Sequence, residues 1–263
     1  MKTTNTGKHG EESDFHKLTS ATTPFIETLD KLSVELFALK TEHEQEEFRK
    51  TSLGIYLTKV QHWVWEIDQT LQDIEMIKDL LLEHSPAMKS KNKHNSGKLI
   101  KYHYENLILR VPKIKDLLLI LVNAVLAFDL PRKISLEREL LKKIKPIYPS
   151  FEQIWEHVVA GNQELKPYRN HLAHNGTMKH KDLALLEAHY KYGNQIRKLN
   201  KEDKIRLENS MLLLRHELVE KFVSHAETYL ENSELFLKMV YIFLGTPFAV
   251  KLKEYHELVQ QSE

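Results

Sequence analysis

The 263-residue sequence contains no cysteine, which excludes a disulfide framework, a zinc finger with cysteine ligands and a thiol nucleophile. Glycine and proline are scarce as well. Eight residues of each are fewer than the usual frequencies of about 7% and about 5% would give. Because these residues mark turns and interrupt helices, their scarcity favours long helices joined by few loops. We predict an all-α fold, a helical bundle.

The chain also lacks a large net charge and a long apolar run. Its 38 basic and 37 acidic side chains leave a formal charge of +1, which excludes a uniformly basic nucleic-acid coat and an acidic disordered chain. The strongest apolar run, residues 117–128, is interrupted by Asn123 and is shorter than the roughly 20 residues of a membrane span. The first residues do not resemble a secretory signal. We therefore expect a cytoplasmic protein with no membrane partner.

Several motifs that carry chemistry are missing. The glycines form neither a G-x-G-x-x-G motif nor a P-loop, so no phosphate cradle is visible. None of the three His-Glu pairs is completed to the H-E-x-x-H zinc motif. His171 and His174 have a spacing that could grip a metal, but no third ligand is indicated. We expect neither a metal nor another cofactor.

Composition and helical spacing divide the chain into four parts. We predict a flexible tail over residues 1–20, a helical hairpin over 21–88, a basic linker over 89–97 and a larger helical domain over 98–263. The hairpin could pair its own two helices or pack along another bundle. Positive charge is concentrated around the linker, because residues 89–145 carry 14 basic and 5 acidic side chains.

Proline and glycine predict three interruptions within the helical domain. Pro112 lies inside a helical pattern, so a kink or break is expected there. Gly245 and Pro247 are expected to end the preceding helix before a last short segment. Asn175 and Gly176 form a typical C-terminal helix signal.

Residues 166–176 (KPYRNHLAHNG) combine side chains suited to phosphodiester cleavage. Leu165, Tyr168 and Leu172 share a helical face that we expect to anchor the segment to a core. Asn170 and His174 lie about 40° apart on the accessible side, at about 100° per residue. A neutral imidazole can take a proton from a ribose 2′-hydroxyl, and an imidazolium can protonate the leaving oxygen. A guanidinium stabilises charge on the phosphate, and an amide orients it.

The RNHLAH segment, residues 169–174, resembles the R-polar-x-x-x-H signature of the HEPN superfamily. Residues 102–118 resemble the long helix of one bacterial HEPN branch, and we expect the resemblance to extend over about 98–243. It implies a helical bundle, often a homodimer, and in many members a metal-independent ribonuclease that acts as a toxin, in phage defence or in RNA processing. Other members have lost catalysis and bind nucleotides or partners. By position, Arg169 and His174 would be catalytic and Asn170 would support them.

The surrounding residues supply further candidates. We expect His171, Tyr168, Glu105, Asn106 and Asp116 to support the site, although the last three could instead form a polar network that fixes helix packing. The side chains expected to contact an RNA backbone, unless they are simply solvated, are Lys91, Lys93, Lys98, Lys142 and Lys143.

One geometric difficulty concerns the proposed catalytic pair. Arg169 and His174 are about 140° apart around an ideal helix. Either the arginine side chain curls around, or the backbone is irregular, or two copies of the motif face each other in a homodimer.

Our leading hypothesis is an endoribonuclease that works through attack by the 2′-hydroxyl. The alternatives are a non-catalytic HEPN module that binds a nucleotide, RNA or an antitoxin-like protein, and a helical scaffold. In the simplest structural interpretation, RNHLAH is only a helix end at which His174 interacts with the C-terminal dipole.

Overall fold

The structure is a computed structural model that describes residues 23–35, 41–84, 96–133, 135–177, 180–192 and 198–260. Within these ranges every regular element is helical, and the prediction of an all-α fold is confirmed. The predicted tail and most of the basic linker, including Lys91 and Lys93, lie outside the described residues. The α-helices are α1 (Pro24–Ser33), α2 (Glu42–Lys50), α3 (Ser52–Glu83), α4 (Ser96–Val125), α5 (Leu136–Ile144), α6 (Phe151–Ala160), α7 (Lys166–Asn175), α8 (Lys181–Lys191) and α9 (Lys201–Gln260).

The early helices begin at clear capping signals. Thr41 and Glu44 form a reciprocal capping box at the start of α2, which satisfies two backbone donors that the helix leaves unpaired. The Thr51 side chain accepts from the Gly54 amide at 3.0 Å and caps α3. A Cβ atom at Gly54 would lie 1.9 Å from the carbonyl oxygen of Phe48. The close approach of α2 to α3 therefore requires glycine at this position.

Helices α3 and α4 pack side by side in opposite directions. The Tyr56 hydroxyl, near the start of α3, donates to the Val125 carbonyl at the end of α4 at 2.9 Å. Further along, Lys113 forms an ion pair with Glu66 at 3.3 Å. Both helices bury their facing apolar side chains, and this burial is the main stabilising contribution to the pair.

Helix α9 lies against both partners and runs in the direction of α4. The Phe222 ring stacks on Tyr104 near the start of α4, with ring centroids 3.6 Å apart. Near the other end, Phe248 contacts Tyr56, and Phe25 of α1 packs edge-on against Phe248 at 5.1 Å. One hydrophobic cluster thus extends from α1 to α9. The helices of the predicted N-terminal hairpin belong to this cluster, and they also contact each other, since the Gln61 side chain of α3 donates to the Ser33 hydroxyl of α1.

Two prolines do not break the helices that contain them. Helix α4 continues through Pro112 and α9 continues through Pro247, so the predicted end of the helix at residues 245–247 is wrong. A proline inside a helix costs about 3 kcal/mol. Burial of Leu244 and Phe248 on either side of Pro247 anchors both flanks to the core and offsets that cost. Gly176 does end α7, at φ 69°.

Helix α9 is, over Lys201–Leu258, long and apolar enough to cross a membrane by length and composition alone. In its most apolar window, 44% of the residues are buried inside the protein. Core helices of soluble proteins meet the same criterion, so the finding is weak evidence for a membrane span.

Candidate functional site

Helix α7, which contains the RNHLAH segment, packs against α4. Leu165 and Leu172 are 2% and 6% exposed and attach α7 to the core, as predicted. Tyr168 is 52% exposed, so its predicted role as a third anchor is wrong. Asn170 and His174 are exposed.

The carboxyl end of α7 closes at a left-handed glycine. The Gly176 amide donates to the Leu172 carbonyl at 2.8 Å, an arrangement that satisfies one of the last free carbonyl groups of the helix. The Asn175 side-chain amide donates to the His171 carbonyl at 3.0 Å and lies 3.2 Å from His171 Nδ1. His174 occupies the last turn of α7.

Arg169 is held against α4 by an acidic partner. Its Nη2 atom donates to Asp116 Oδ2 at 3.1 Å, and the two side chains are 40% and 43% exposed. The guanidinium of an arginine has five N–H donors, and this contact is the single hydrogen bond that the described residues give the Arg169 side chain. The guanidinium is therefore fixed at one edge while solvent reaches the rest of it.

Asp116 is in turn part of a chain of charges that reaches α5 and α6. Lys115 Nζ lies 2.8 Å from Glu137 Oε2 and 4.0 Å from Asp116 Oδ1. The Trp155 indole donates to the second Glu137 oxygen at 2.8 Å. Burial opposes ionisation of Glu137, but the hydrogen bonds from Lys115 and Trp155, together with the positive charges of Lys115 and Lys166, hold the pKa of Glu137 below its ordinary value. This chain connects Arg169 to the core and limits its movement.

The structure brings two of the three α4 candidates to α7. Asp116 contacts Arg169, and Glu105 accepts a hydrogen bond from the Thr177 hydroxyl at 3.4 Å, just beyond the end of α7. Asn106 instead donates to the Tyr102 carbonyl and accepts from Arg110, which also binds Asp73 of α3. For Asn106, these contacts support the alternative that it belongs to a polar network that fixes the packing of α4 against α3.

Helix α7 is regular from Lys166 to Asn175, which removes an irregular backbone as the explanation for the angle between Arg169 and His174. Arg169 points to α4, whereas His174 faces solvent. Two explanations for the angle remain: a curled arginine side chain, or two copies of the motif that face each other in a homodimer. His171 is half-buried, and its Nε2 atom has no hydrogen-bond partner among the described residues.

The predicted RNA-contacting lysines lie in different places. Lys98 lies at the start of α4, about 27 Å along the helix axis from Asp116 at about 1.5 Å per residue. Lys142 and Lys143 are exposed in the last turn of α5, with Lys143 Nζ 5.2 Å from the Phe128 ring centroid. Within α5, the first turn is the part connected to Arg169, through Glu137, Lys115 and Asp116, and the lysine-rich last turn is not.

A polar pair beside α7 was not predicted from the sequence. The Tyr104 hydroxyl lies 3.0 Å from His225 Nδ1. Burial lowers the pKa of His225, with Lys221 adding to the effect, so this imidazole is neutral near pH 7. Tyr168 is close enough to contribute to the raised pKa of Tyr104, whose main cause is burial. These residues are 121 positions apart, and no local pattern in the sequence connects them.

Similarity to known families extends over most of the chain. The model of the HEPN_Cthe2314-like family matches residues 25–241. The resemblance therefore begins well before residue 98, the start of the range expected from the sequence. This range includes α1 and α3, in agreement with their place in the common core. No curated protein and no solved structure shows significant similarity to the chain. Within the described ranges, no group of three or more His, Asp or Glu side chains is arranged as metal ligands would be.

Proposed function

Because the chain belongs to the HEPN_Cthe2314-like family, we propose that it is an endoribonuclease whose catalytic residues are Arg169 and His174, with Asn170 in support. The observation that carries the proposal is the placement of the motif. Arg169 is fixed by Asp116 with part of its guanidinium exposed, and Asn170 and His174 are exposed on the same helix. A large substrate such as RNA can reach all three side chains.

The proposed reaction needs no metal and no added water. The ribose 2′-oxygen attacks the adjacent phosphorus while an imidazole takes its proton, and the bond from phosphorus to the 5′-oxygen breaks. An imidazolium returns a proton to that leaving oxygen. The products carry a 2′,3′-cyclic phosphate and a 5′-hydroxyl, so the atoms balance. Arg169 stabilises the additional charge on the non-bridging oxygens, and Asn170 orients the phosphate.

A homodimer with facing α7 helices would resolve the angular difficulty. The Asp116 contact directs Arg169 towards α4, away from His174. Two facing copies would place Arg169 of one chain beside His174 of the other, so each dimer would hold two composite sites with one arginine and one imidazole each. Mixing Arg169→Ala with His174→Ala chains tests this arrangement. Random pairing makes about half of the dimers mixed, each with one intact site of two, so about a quarter of the wild-type activity returns. No recovered activity, after subunit exchange is verified, would contradict a composite site.

The proposed activity is tested with purified protein, mixed single-stranded RNA and EDTA. We expect wild-type protein to cleave, and Arg169→Ala and His174→Ala to lose about 10²- to 10³-fold in rate. His157→Ala is the matched control, because His157 is also exposed on a short helix and bonds a backbone carbonyl of that helix. Cleavage that survives both site substitutions would disprove the assignment. Wild-type protein that binds RNA without cleaving it would favour the non-catalytic alternative. A toxin, phage-defence or RNA-processing role, with an antitoxin-like partner, belongs to the same proposal.

A further inference from the structure

A second positively charged feature lies at the beginning of α5. A surface cavity of about 700 Å³ is lined by Arg132, Lys133, Ser135 and Arg138. Three of these four side chains are cations. None of the three forms an ion pair within 4.0 Å with a residue that the structure describes. Like charges that converge without a partner repel one another, and an anion in the cavity would relieve this repulsion.

The acidic side chains around the cavity are already occupied. Glu137 accepts from Lys115 and Trp155. Glu139 accepts from the Ser135 hydroxyl, and Asp129 forms an ion pair with Lys59. None of these contacts pairs a carboxylate with Arg132, Lys133 or Arg138, so the three cations are available to an external anion.

Arg132 has a geometry that suits a phosphate. Its guanidinium carbon lies 3.9 Å from the ring centroid of Trp63, and that ring is buried. Stacking of this kind uses the face of the guanidinium and leaves its N–H groups free in the plane of the group. Two parallel N–H groups match two phosphate oxygens. Trp63 thus holds a phosphate-binding fork at the edge of the cavity.

The cavity is connected to the proposed catalytic residues through few contacts. Arg138 follows Glu137 in α5, Glu137 binds Lys115, and Lys115 adjoins Asp116, the partner of Arg169. The cavity and Arg169 therefore lie at opposite ends of one short chain of side chains. A single-stranded RNA that places one phosphate at Arg169 has further phosphates on either side of it.

We propose that this cavity binds a backbone phosphate of single-stranded RNA, away from the phosphate that is cleaved. The choice of RNA rests on the proposed function, whereas the affinity for a phosphodiester rests on the cavity. The proposal moves the backbone contact from Lys142 and Lys143, in the last turn of α5, to Arg132, Lys133 and Arg138 at its beginning.

Binding of a labelled single-stranded RNA at increasing salt tests the proposal, in the His174→Ala background and with EDTA so that no cleavage interferes. Two double variants are compared, Lys133→Gln with Arg138→Gln and Lys142→Gln with Lys143→Gln. Each pair removes two positive charges near the same helix. The slope of log affinity against log salt is negative, and each lost phosphate contact makes it less steep by about 0.7. Because the cavity is proposed to hold one phosphate, we expect the slope to become less steep by about 0.7 for the first pair and to stay unchanged for the second.

The outcomes separate this proposal from the catalytic one. The cavity proposal is overturned if the slope becomes less steep by the same amount for both pairs. It is also overturned if the slope changes for the second pair alone or for neither pair. Arg138→Lys is expected to leave the slope unchanged, because lysine keeps the positive charge. Thermal unfolding of each variant checks that the variant is folded. If wild-type protein cleaves no RNA but the slopes differ as expected, the cavity stands and the catalytic assignment fails. If cleavage depends on His174 and the slopes do not differ, the reverse holds.

Discussion

The contact between Asp116 and Arg169 allows a quantitative test of how the catalytic arginine is positioned. The two side chains are 40% and 43% exposed, so solvent screens the pair and its contribution to stability is at most about 1 kcal/mol. Asp116→Asn keeps an oxygen that can accept the hydrogen bond but removes the charge. If the carboxylate holds Arg169 for the transition state, a loss of about 1 kcal/mol corresponds to about a fivefold fall in kcat. KM is expected to stay unchanged.

Asp73 offers a matched control for this substitution. It accepts from Arg110 at 2.8 Å, and its side chain is 43% exposed, the same as Asp116. Asp73→Asn is expected to lower stability as much as Asp116→Asn, by no more than about 1 kcal/mol, and to leave kcat unchanged. Steady-state cleavage kinetics and thermal unfolding of both variants give the comparison. Equal kinetic effects of the two substitutions would refute the positioning role, as would a further loss of kcat when Asp116→Asn is added to Arg169→Ala.

Three further predictions concern stability. Burial, with Asp30 adding to it, raises the pKa of Asp68 from 3.8 to about 6. The folded protein therefore binds more protons than the unfolded chain between about pH 4 and 6, and its stability falls as pH rises through that range. Asp68→Asn is expected to raise the free energy of unfolding at pH 7.5 by roughly 1–3 kcal/mol and to make it less dependent on pH. Equal urea midpoints for the variant and the wild-type protein at pH 7.5 would contradict this. Gly176→Ala is expected to cost about 1 kcal/mol because φ is 69° with open space around it, and a neutral effect on the melting temperature would count against the left-handed cap. Gly54→Ala is expected to cost more, since its Cβ would meet the Phe48 carbonyl; a smaller loss than for Gly176→Ala would argue against the close approach of α2 to α3.

The parts of the fold that depend on local chemistry could be predicted from the sequence. The helical class follows from spacing and composition, and the end of α7 follows from Asn175 and Gly176. The continuation of α9 through Pro247 could not be predicted, because the compensating burial of Leu244 and Phe248 comes from distant helices. Local propensity gives way to tertiary packing at that point.

The candidate site shows the same division between local and distant information. The side chains of RNHLAH lie within one helix, and their chemistry can be read from residue type and spacing. The partner of Arg169 is 53 residues away in the chain, and Asp116 was selected only as one of three α4 candidates. Asn106, another of the three, faces Arg110 instead. Which side of α4 receives α7 is decided by the packing of Leu165 and Leu172, which no local pattern specifies.

The chemical nature of the cleaved ends tests the central claim most directly. RNA is incubated with wild-type protein in EDTA, and the fragments are analysed by mass spectrometry beside those from Arg169→Ala and His174→Ala. The account predicts 2′,3′-cyclic phosphate and 5′-hydroxyl ends with wild-type protein and almost no product with either variant. Fragments with 5′-phosphate ends, or cyclic phosphate ends that persist in both variants, would contradict it.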